Sequence, residues 1–506
     1  MPASHFLRRT LCTLCLTALA LAAAWLAPAM LAPTFSPALA QPAASTAEPS
    51  DDAARAVFYR QLDLFGDVLE KIRRDYVDEP DSAKLIESAL NGLVSSLDPH
   101  SAYLAPQNYD NMRITTRGKF GGLGIEVTME NGLVKVIAPI DDTPAQRAGI
   151  LPNDLVTHLD REQVLGLTLN QAVEKMRGEP GSKILLTVRR QGEDEPLEIE
   201  IVRAVITIHA VRTRTEADGR IGYIRVTSFN QQAAEETRKA LRALVPQPGS
   251  ANAPAFAGFI LDLRNNPGGL LSHSIAVSDM FLSQGEIVST RGRHAKDNQR
   301  YHAKPGDLSQ GWPLIVLING GSASASEIVA GALQDHRRAV IMGTASFGKG
   351  SVQTVFPLPN QGGLKLTTAR YYTPSGRSIQ ARGIIPDIIA KQTAPPDFNR
   401  RTAREREADL RNHLPPDAAD STNGAADDAP ADEPSSAAPR DGAADSMADE
   451  PPAPAKSDED EDVNIAYIPP DAADDAQLQA AIQLLQKLAA ARERLPEARI
   501  AKEPIP

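Results

Sequence analysis

The chain has 506 residues, 42% of them apolar and 23% charged, which supports folded cores in two or three domains and excludes a wholly disordered protein. The net charge of −11 is concentrated: 15 acidic residues but only two basic ones, Arg440 and Lys456, fall between positions 417 and 462, so the acidity belongs to one segment and says nothing about a substrate. No basic stripe interleaved with aromatics occurs, which excludes nucleic acid as an expected partner.

Taken in chain order, Arg8 and Arg9 precede an almost wholly apolar stretch over 11–32, and Ala38-Leu39-Ala40 stands before Gln41. A basic start, an apolar run and a small-x-small site make an export signal over 1–40. The apolar run is long enough to span a bilayer, although Pro28 interrupts it, so a retained anchor is the alternative to cleavage. Either way the remainder is expected outside the cytoplasm, periplasmic or held at the outer face of the inner membrane. Both cysteines, Cys12 and Cys15, lie in this segment. The rest of the chain therefore offers no disulfide, thiol nucleophile or thiolate metal site.

A Pro/Ala/Ser linker over 41–52 leads to a helical region over 53–110. There Val57, Leu62, Phe65, Val68, Leu69 and Ile72, then Leu85, Ile86, Leu90, Leu93 and Val94, recur at helical spacing. A β-rich module follows over 113–204. The loop Gly122-Leu123-Gly124 enters a strand at Ile125, and a helix over 169–176 ends at Gly178. Over 205–392 strands and helices alternate, which argues α/β. Residues 415–462 are rich in Ala, Pro, Asp, Glu and Ser and are expected to be disordered. A final helix over 474–495 carries Leu478, Ile482, Leu485 and Leu488 on one face, which must dock on a folded domain to be buried.

The chemistry gathers in two short segments. Asn319-Gly320-Gly321-Ser322-Ala323-Ser324-Ala325-Ser326-Glu327 joins an apolar strand to a helix. Its small residues let a substrate backbone approach, and Ser324 precedes the free N–H groups of a helix start. The same stretch also reads as a serine-rich helix cap. The second segment, Phe347-Gly348-Lys349-Gly350, places a lysine between glycines in a turn flanked by apolar strands. Desolvation there lowers a lysine's pKa, and a neutral amine can take a serine's proton. A phosphate loop would need its Lys-Ser to open a helix, whereas Lys349-Gly350-Ser351 leads into a strand. Ser346 to Lys349 fits S-x-x-K, but the two glycines disfavour the helix that motif needs. His336, near the end of the serine's helix, suits a helix C-terminus better than a base. No GxSxG, HExxH or other metal-ligand pattern is present, so neither metal nor cofactor is expected.

The run SASASEIVAGALQDHRRAVIMGTASFGKGSVQ from Ser322, with LDLRNNPGG upstream and YYTPSGRSIQ and GIIPDI downstream, resembles the signature of the C-terminal processing peptidases, the tail-specific proteases of peptidase family S41. The resemblance spans about 55–392. It implies a multidomain α/β protein: an N-terminal helical segment, a crotonase-like α/β catalytic domain over 205–392, and an inserted PDZ domain over 113–204. By family pattern Ser324 is the nucleophile and Lys349 the base. Gln353 orients the lysine amine, and Asp335 supports the site. The Ala325 amide and that of Gly268 or Gly269, with Gly269 preferred, form the oxyanion hole. In the PDZ module, Gly122, Leu123, Gly124 and Ile125 would take the terminal carboxylate and backbone of a peptide. Arg177 is expected to couple peptide binding to the active site.

The function implied is a serine endopeptidase of the cell envelope that catches polypeptides by exposed, free apolar C-termini and cleaves them through an acyl-enzyme. The resemblance allows homo-oligomers and adaptor proteins, and the apolar run over 11–32, if retained, allows inner-membrane association. Two other classes compete. A non-catalytic binding protein on the same fold is opposed by the intact Ser324, Lys349 and Gln353. A crotonase-like acyl-CoA enzyme is opposed by the export signal and the PDZ-like module.

Overall fold

The computed structural model describes residues 51–246, 256–395, 406–416 and 466–494. The expected export signal and nearly all of the acidic segment lie outside them. The chain divides into two units, 1–80 and 81–506. Among the described residues of the first, the helix Asp51–Asp75 carries Phe58, Leu62, Phe65 and Val68 as exposed side chains. Among the described residues no helix is long and apolar enough to cross a membrane.

The second unit opens with the helix Ser82–Ser95, whose N-terminus is capped by the Asp81 carboxylate accepting from the Ala83 and Lys84 N–H groups. The chain then forms a short strand, Ala102–Leu104, and a helix, Pro106–Arg117. This helix begins within the expected helical region over 53–110 but runs beyond it, so that position 113, the expected start of the β-rich module, falls inside it. It has no fully buried residue, so its apolar period is weak. Its punctuation was readable all the same: Pro106 at its first position and Gly118, at φ 65, beyond its end.

The β-rich module hangs on a two-stranded antiparallel ribbon, Lys119–Gly122 paired with Ala204–Thr207, which brings its entry and exit together. Its main sheet runs in the order Ile125–Glu130, Leu133–Pro139, Leu155–Leu159, Lys183–Arg189, Leu197–Val202. The strand Ile125–Glu130 is therefore an edge. Val134, Val136, Val156, Ile184, Leu186 and Val188 alternate inward to form the module's own core, closed by Ala172 and Met176 of the helix Leu169–Met176.

The α/β part is built on a six-stranded sheet in the order Val211–Glu216, Ile221–Val226, Gly258–Asp262, Leu314–Ile318, Val340–Gly343, Ile388–Ile389. All its pairings are parallel except the first. Gly258–Asp262 and Leu314–Ile318 are buried at every position, as parallel strands covered on both faces must be. On one face, Ile224, Phe259, Leu261 and Val316 pack with the helices Ala233–Leu244, Leu271–Asp279 and Ala325–Asp335. On the other, Tyr223, Ile260, Ile315 and Leu317 pack against Leu478, Ala481, Ile482 and Leu485 of the final helix, Ala476–Arg494. A second sheet carries the hairpin Ser351–Pro357/Gly363–Tyr372, with Glu286–Gly292 on its far side.

Candidate active site

The strand Leu314–Ile318 ends at Asn319, and the chain doubles back before the helix starting at Ala325. The turn is pinned from within. Ser322 Oγ donates to the Leu263 carbonyl at 2.8 Å, the Ala323 N–H to the Asn266 carbonyl at 2.9 Å, and Ser326 Oγ to that same carbonyl at 2.8 Å. These bonds hold Ser324 at φ 55 and ψ −111, a backbone region that costs a non-glycine residue about 1–3 kcal/mol and is found where surroundings impose it. A strained serine on a strand-to-helix turn is the geometry of an exposed nucleophile rather than of an ordinary cap.

Ser324 opens into a cleft of about 840 Å³ lined also by Gly268, Gly269, Lys349, Gln353, Lys365 and Tyr371. The apolar side of the cleft comes from Met112, Phe229, Leu271, Ile275 and Val352. The neighbouring glycine loop comes close to the serine: a Cβ on Gly268 would lie 2.8 Å from Ser324 Cβ and 3.0 Å from the Ala325 nitrogen. The Gly268 N–H is spent on Asn266 Oδ1 at 2.9 Å. Among the described residues the N–H groups of Gly269 and Ala325 have no acceptor, which leaves these two to meet a developing negative charge.

Lys349 lies in the turn Phe347-Gly348-Lys349-Gly350. Burial pushes its amine down to about 8, and the nearby Lys365 cation acts in the same direction. The turn is fixed by a residue the sequence reading passed over. Glu327, fully buried, accepts from the Ser324 N–H at 2.7 Å and the Lys349 N–H at 2.9 Å on one oxygen. On the other it accepts from the Gly348 N–H at 2.7 Å and Ser346 Oγ at 2.6 Å. Loss of water pushes this carboxyl up to about 7 despite the four donors. One carboxylate thus sets the backbone of both serine and lysine. Its spacing, three residues after Ser324, is that of a capping box and was the signal available in the sequence.

Behind the lysine, Gly350 N–H donates to Gln380 Oε1, and Gln380 Nε2 to Glu407, whose other oxygen lies 2.7 Å from His100 Nε2. Gln353 lines the cleft, but its amide donates to Ser351 Oγ at 3.0 Å and Thr367 Oγ1 at 3.1 Å; no bond to the lysine amine is present among these. Asp335 lies at the far end of the serine's helix, about 15 Å along its axis. It accepts from the Ser375 N–H at 2.9 Å and from Arg377, outside the cleft. By family pattern it was expected to support the site, and its hydrogen bonds reach the turn after the strand bearing Tyr371. His336, on the same helix end, faces the Glu286 carbonyl at 2.6 Å.

In the β-rich module the N–H groups of Leu123 and Gly124 have no acceptor among the described residues, and they stand at the head of the open edge of Ile125–Glu130. Gly122 belongs to the ribbon, paired with Ala204, and Leu123 is buried in the module core. Arg177, just past the module's helix, bonds Asn111 and Glu174 and lies 5.4 Å above the Phe120 ring. Asn111 adjoins Met112, which lines the catalytic cleft.

Residues 220–390 match the model of peptidase family S41, and residues 121–201 match that of the PDZ domain. Over 356 residues, 70% of this chain and 81% of the relative, the sequence is 53% identical to a carboxy-terminal-processing protease of Bartonella bacilliformis. Over 329 residues, 63% of this chain and 75% of the relative, it is 35% identical to a carboxyl-terminal-processing protease of Synechocystis. Among solved structures, the photosystem II D1 C-terminal processing protease is similar, with 29% identity over 65% of this chain and 92% of that one and a TM-score of 0.37.

Proposed function

Since the chain belongs to the carboxy-terminal processing proteases of peptidase family S41, serine-type peptidases that here carry a PDZ domain, we propose that it cleaves through a Ser324–Lys349 dyad. The observation that carries this reading is the shared carboxylate of Glu327, which holds both backbones beside one cleft while burial keeps the lysine amine near neutrality. The neutral Nζ takes the proton of Ser324 Oγ as that oxygen attacks the scissile carbonyl. The carbonyl electron pair moves onto the oxygen, held by the N–H groups of Ala325 and Gly269. Lys349 then gives its proton to the leaving amine, and the peptide bond breaks. Water repeats the sequence on the acyl-enzyme and frees the serine. Gln353 holds the lysine side of the cleft through Ser351 and Thr367.

The substrates are polypeptides with free, apolar C-termini. Their carboxylate is taken by the Leu123 and Gly124 amides, and their backbone adds to the edge strand from Ile125. Arg177, through Asn111 and the helix Pro106–Arg117, connects that groove to the cleft. The catalytic part is read as crotonase-like, and the protein as working in the cell envelope, exported by its first 40 residues. Self-association and an adaptor belong to the same reading. The test is an assay on an unfolded protein with purified full-length chain and with Ser324→Ala and Lys349→Ala. The reading requires that both variants be folded and inactive. Full activity of either would defeat it. Envelope expression of Ser324→Ala then identifies what stays bound, and finding the wild-type protein in the cytoplasmic fraction alone would remove the location.

A further inference from the structure

Tyr371 is only 4% exposed, yet it lines the same cleft as Ser324 and Lys349, and its phenol and the Ser324 side chain interact there. Its backbone is tied to the lysine turn, its N–H donating to the Gly350 carbonyl at 2.7 Å, and it pairs with Thr290 on the neighbouring strand. The ring is therefore fixed relative to both members of the dyad. Burial pushes its phenol up to about 12, so it keeps its proton across any working pH.

A protonated phenol next to a seryl oxygen can donate, and that oxygen has one proton to give and two lone pairs to receive with. A neutral lysine amine can receive the seryl proton. The two neighbours thus complement one another on one atom. We propose that Tyr371 is a third catalytic residue, whose phenol donates a hydrogen bond to Ser324 Oγ and leaves the serine's own proton directed at Lys349 Nζ. This rests on the dyad reading above. During attack the Oγ–carbon bond forms, the Oγ proton passes to Nζ, and Tyr371 keeps its own proton while stabilising the charge that builds on Oγ. During deacylation the bond to the acyl carbon breaks and Oγ departs with the electron pair. The phenol again supports it until Nζ returns the proton. No co-reactant beyond water enters.

The test uses the full-length enzyme, a fluorogenic peptide substrate and a fluorophosphonate that labels nucleophilic serines. Tyr371→Phe is expected to lower kcat by about 10–100-fold with KM within about twofold, as for removal of one donor to a reacting oxygen. Fluorophosphonate labelling of Ser324 should slow by a similar factor. Replacing Tyr371 by a fluorinated tyrosine, whose phenol is more acidic, should keep turnover near neutral pH and bring in an alkaline loss absent from the wild type. A tyrosine that only packs would show neither the slowed labelling nor the new alkaline limb. Labelling by Tyr371→Phe at the wild-type rate overturns the proposal, as does a fluorotyrosine enzyme with an unchanged pH profile. Lys349→Ala labelled at the wild-type rate would instead overturn the dyad, so the two readings fail separately.

Discussion

Arg264 and Asp475 are 211 residues apart in sequence and are joined by two hydrogen bonds, of 2.7 and 2.8 Å, in the buried interior. Arg264 also holds Asp262 through Nε and Nη2, and Tyr223 completes the network with a 2.7 Å bond to Asp262. The Asp262 carboxylate is held below the usual range, most directly by the Arg264 guanidinium. Four residues beyond Arg264 stands Gly268, against Ser324. The final helix is thus anchored to the segment that carries the glycine loop beside Ser324.

Cutting that anchor should cost stability first. Asp475→Ala leaves the buried Arg264 guanidinium with Asp262 but without its second carboxylate, a loss of two charge-assisted hydrogen bonds worth about 2–3 kcal/mol. The melting temperature should fall by several degrees or more, with activity lost on heating before that of the wild type. Removing residues 471–494 should do more, since it bares Tyr223, Ile260, Ile315 and Leu317. A truncated enzyme with unaltered melting would contradict this account of the sheet's second face.

Under the proposed dyad, activity should rise with pH. The dyad requires Lys349 as the neutral amine, so the fraction able to act should grow as pH climbs through about 8. Lys349→Arg keeps a cation that cannot give up its proton and should lose about 10³-fold or more, as should Lys349→Ala. Measurement of kcat/KM against pH, with circular dichroism to show folding, checks both. Near-normal turnover by Lys349→Arg would exclude lysine as the base.

Lys365 tunes that midpoint. Its positive charge disfavours a second cation in the cleft, so Lys365→Met should move the rise in activity to higher pH, while Lys365→Arg should leave it nearly in place. The same pH profiles decide, and a midpoint unmoved in Lys365→Met would show that burial alone sets the amine.

Glu327 adds a second proton to the acid side. Its four partners are all donors, so the protonated carboxyl loses at least one bond. Because burial raises this group to about 7, the ionised form that bridges serine and lysine is lost as pH falls through that value. The logarithm of kcat/KM should therefore steepen from one proton to two below about pH 7. Glu327→Ala should remain slow at every pH. A single-proton slope down to pH 5 would separate Glu327 from the working state.

For the PDZ groove, a peptide with a free C-terminus should bind more tightly than its amide by about 1.5–3 kcal/mol, the worth of a charge-assisted set of hydrogen bonds. Calorimetry on Ser324→Ala protein measures this, and equal affinities would assign the Leu123-Gly124 loop another task.

Much of the site was legible because its parts are local. The glycines around Lys349 and the small residues around Ser324 advertise a tight turn and a close backbone approach, and both are contiguous in sequence. The alternation over 205–392 carries its own period, as does the apolar face of the last helix. The helix Pro106–Arg117 runs past the helical region expected to end at 110; with no fully buried side chain, only its end signals marked its extent. Asp335 was expected to support the site by family pattern alone; ten residues of helix place it toward Ser375 and Arg377.

By itself, then, the sequence determined the family, through its long motifs, and the candidate residues for its chemistry, since glycine placement and a strand-to-helix turn are properties of short stretches of chain. Only the tertiary structure decided what surrounds those residues. Glu327 spanning 22 positions to Lys349, Tyr371 reaching Ser324, and Asp475 meeting Arg264 all depend on which way side chains point once two sheets have packed. Burial then acts on what packing has assembled: it lowers Lys349 and raises Glu327 and Tyr371, groups that would be ordinary in water.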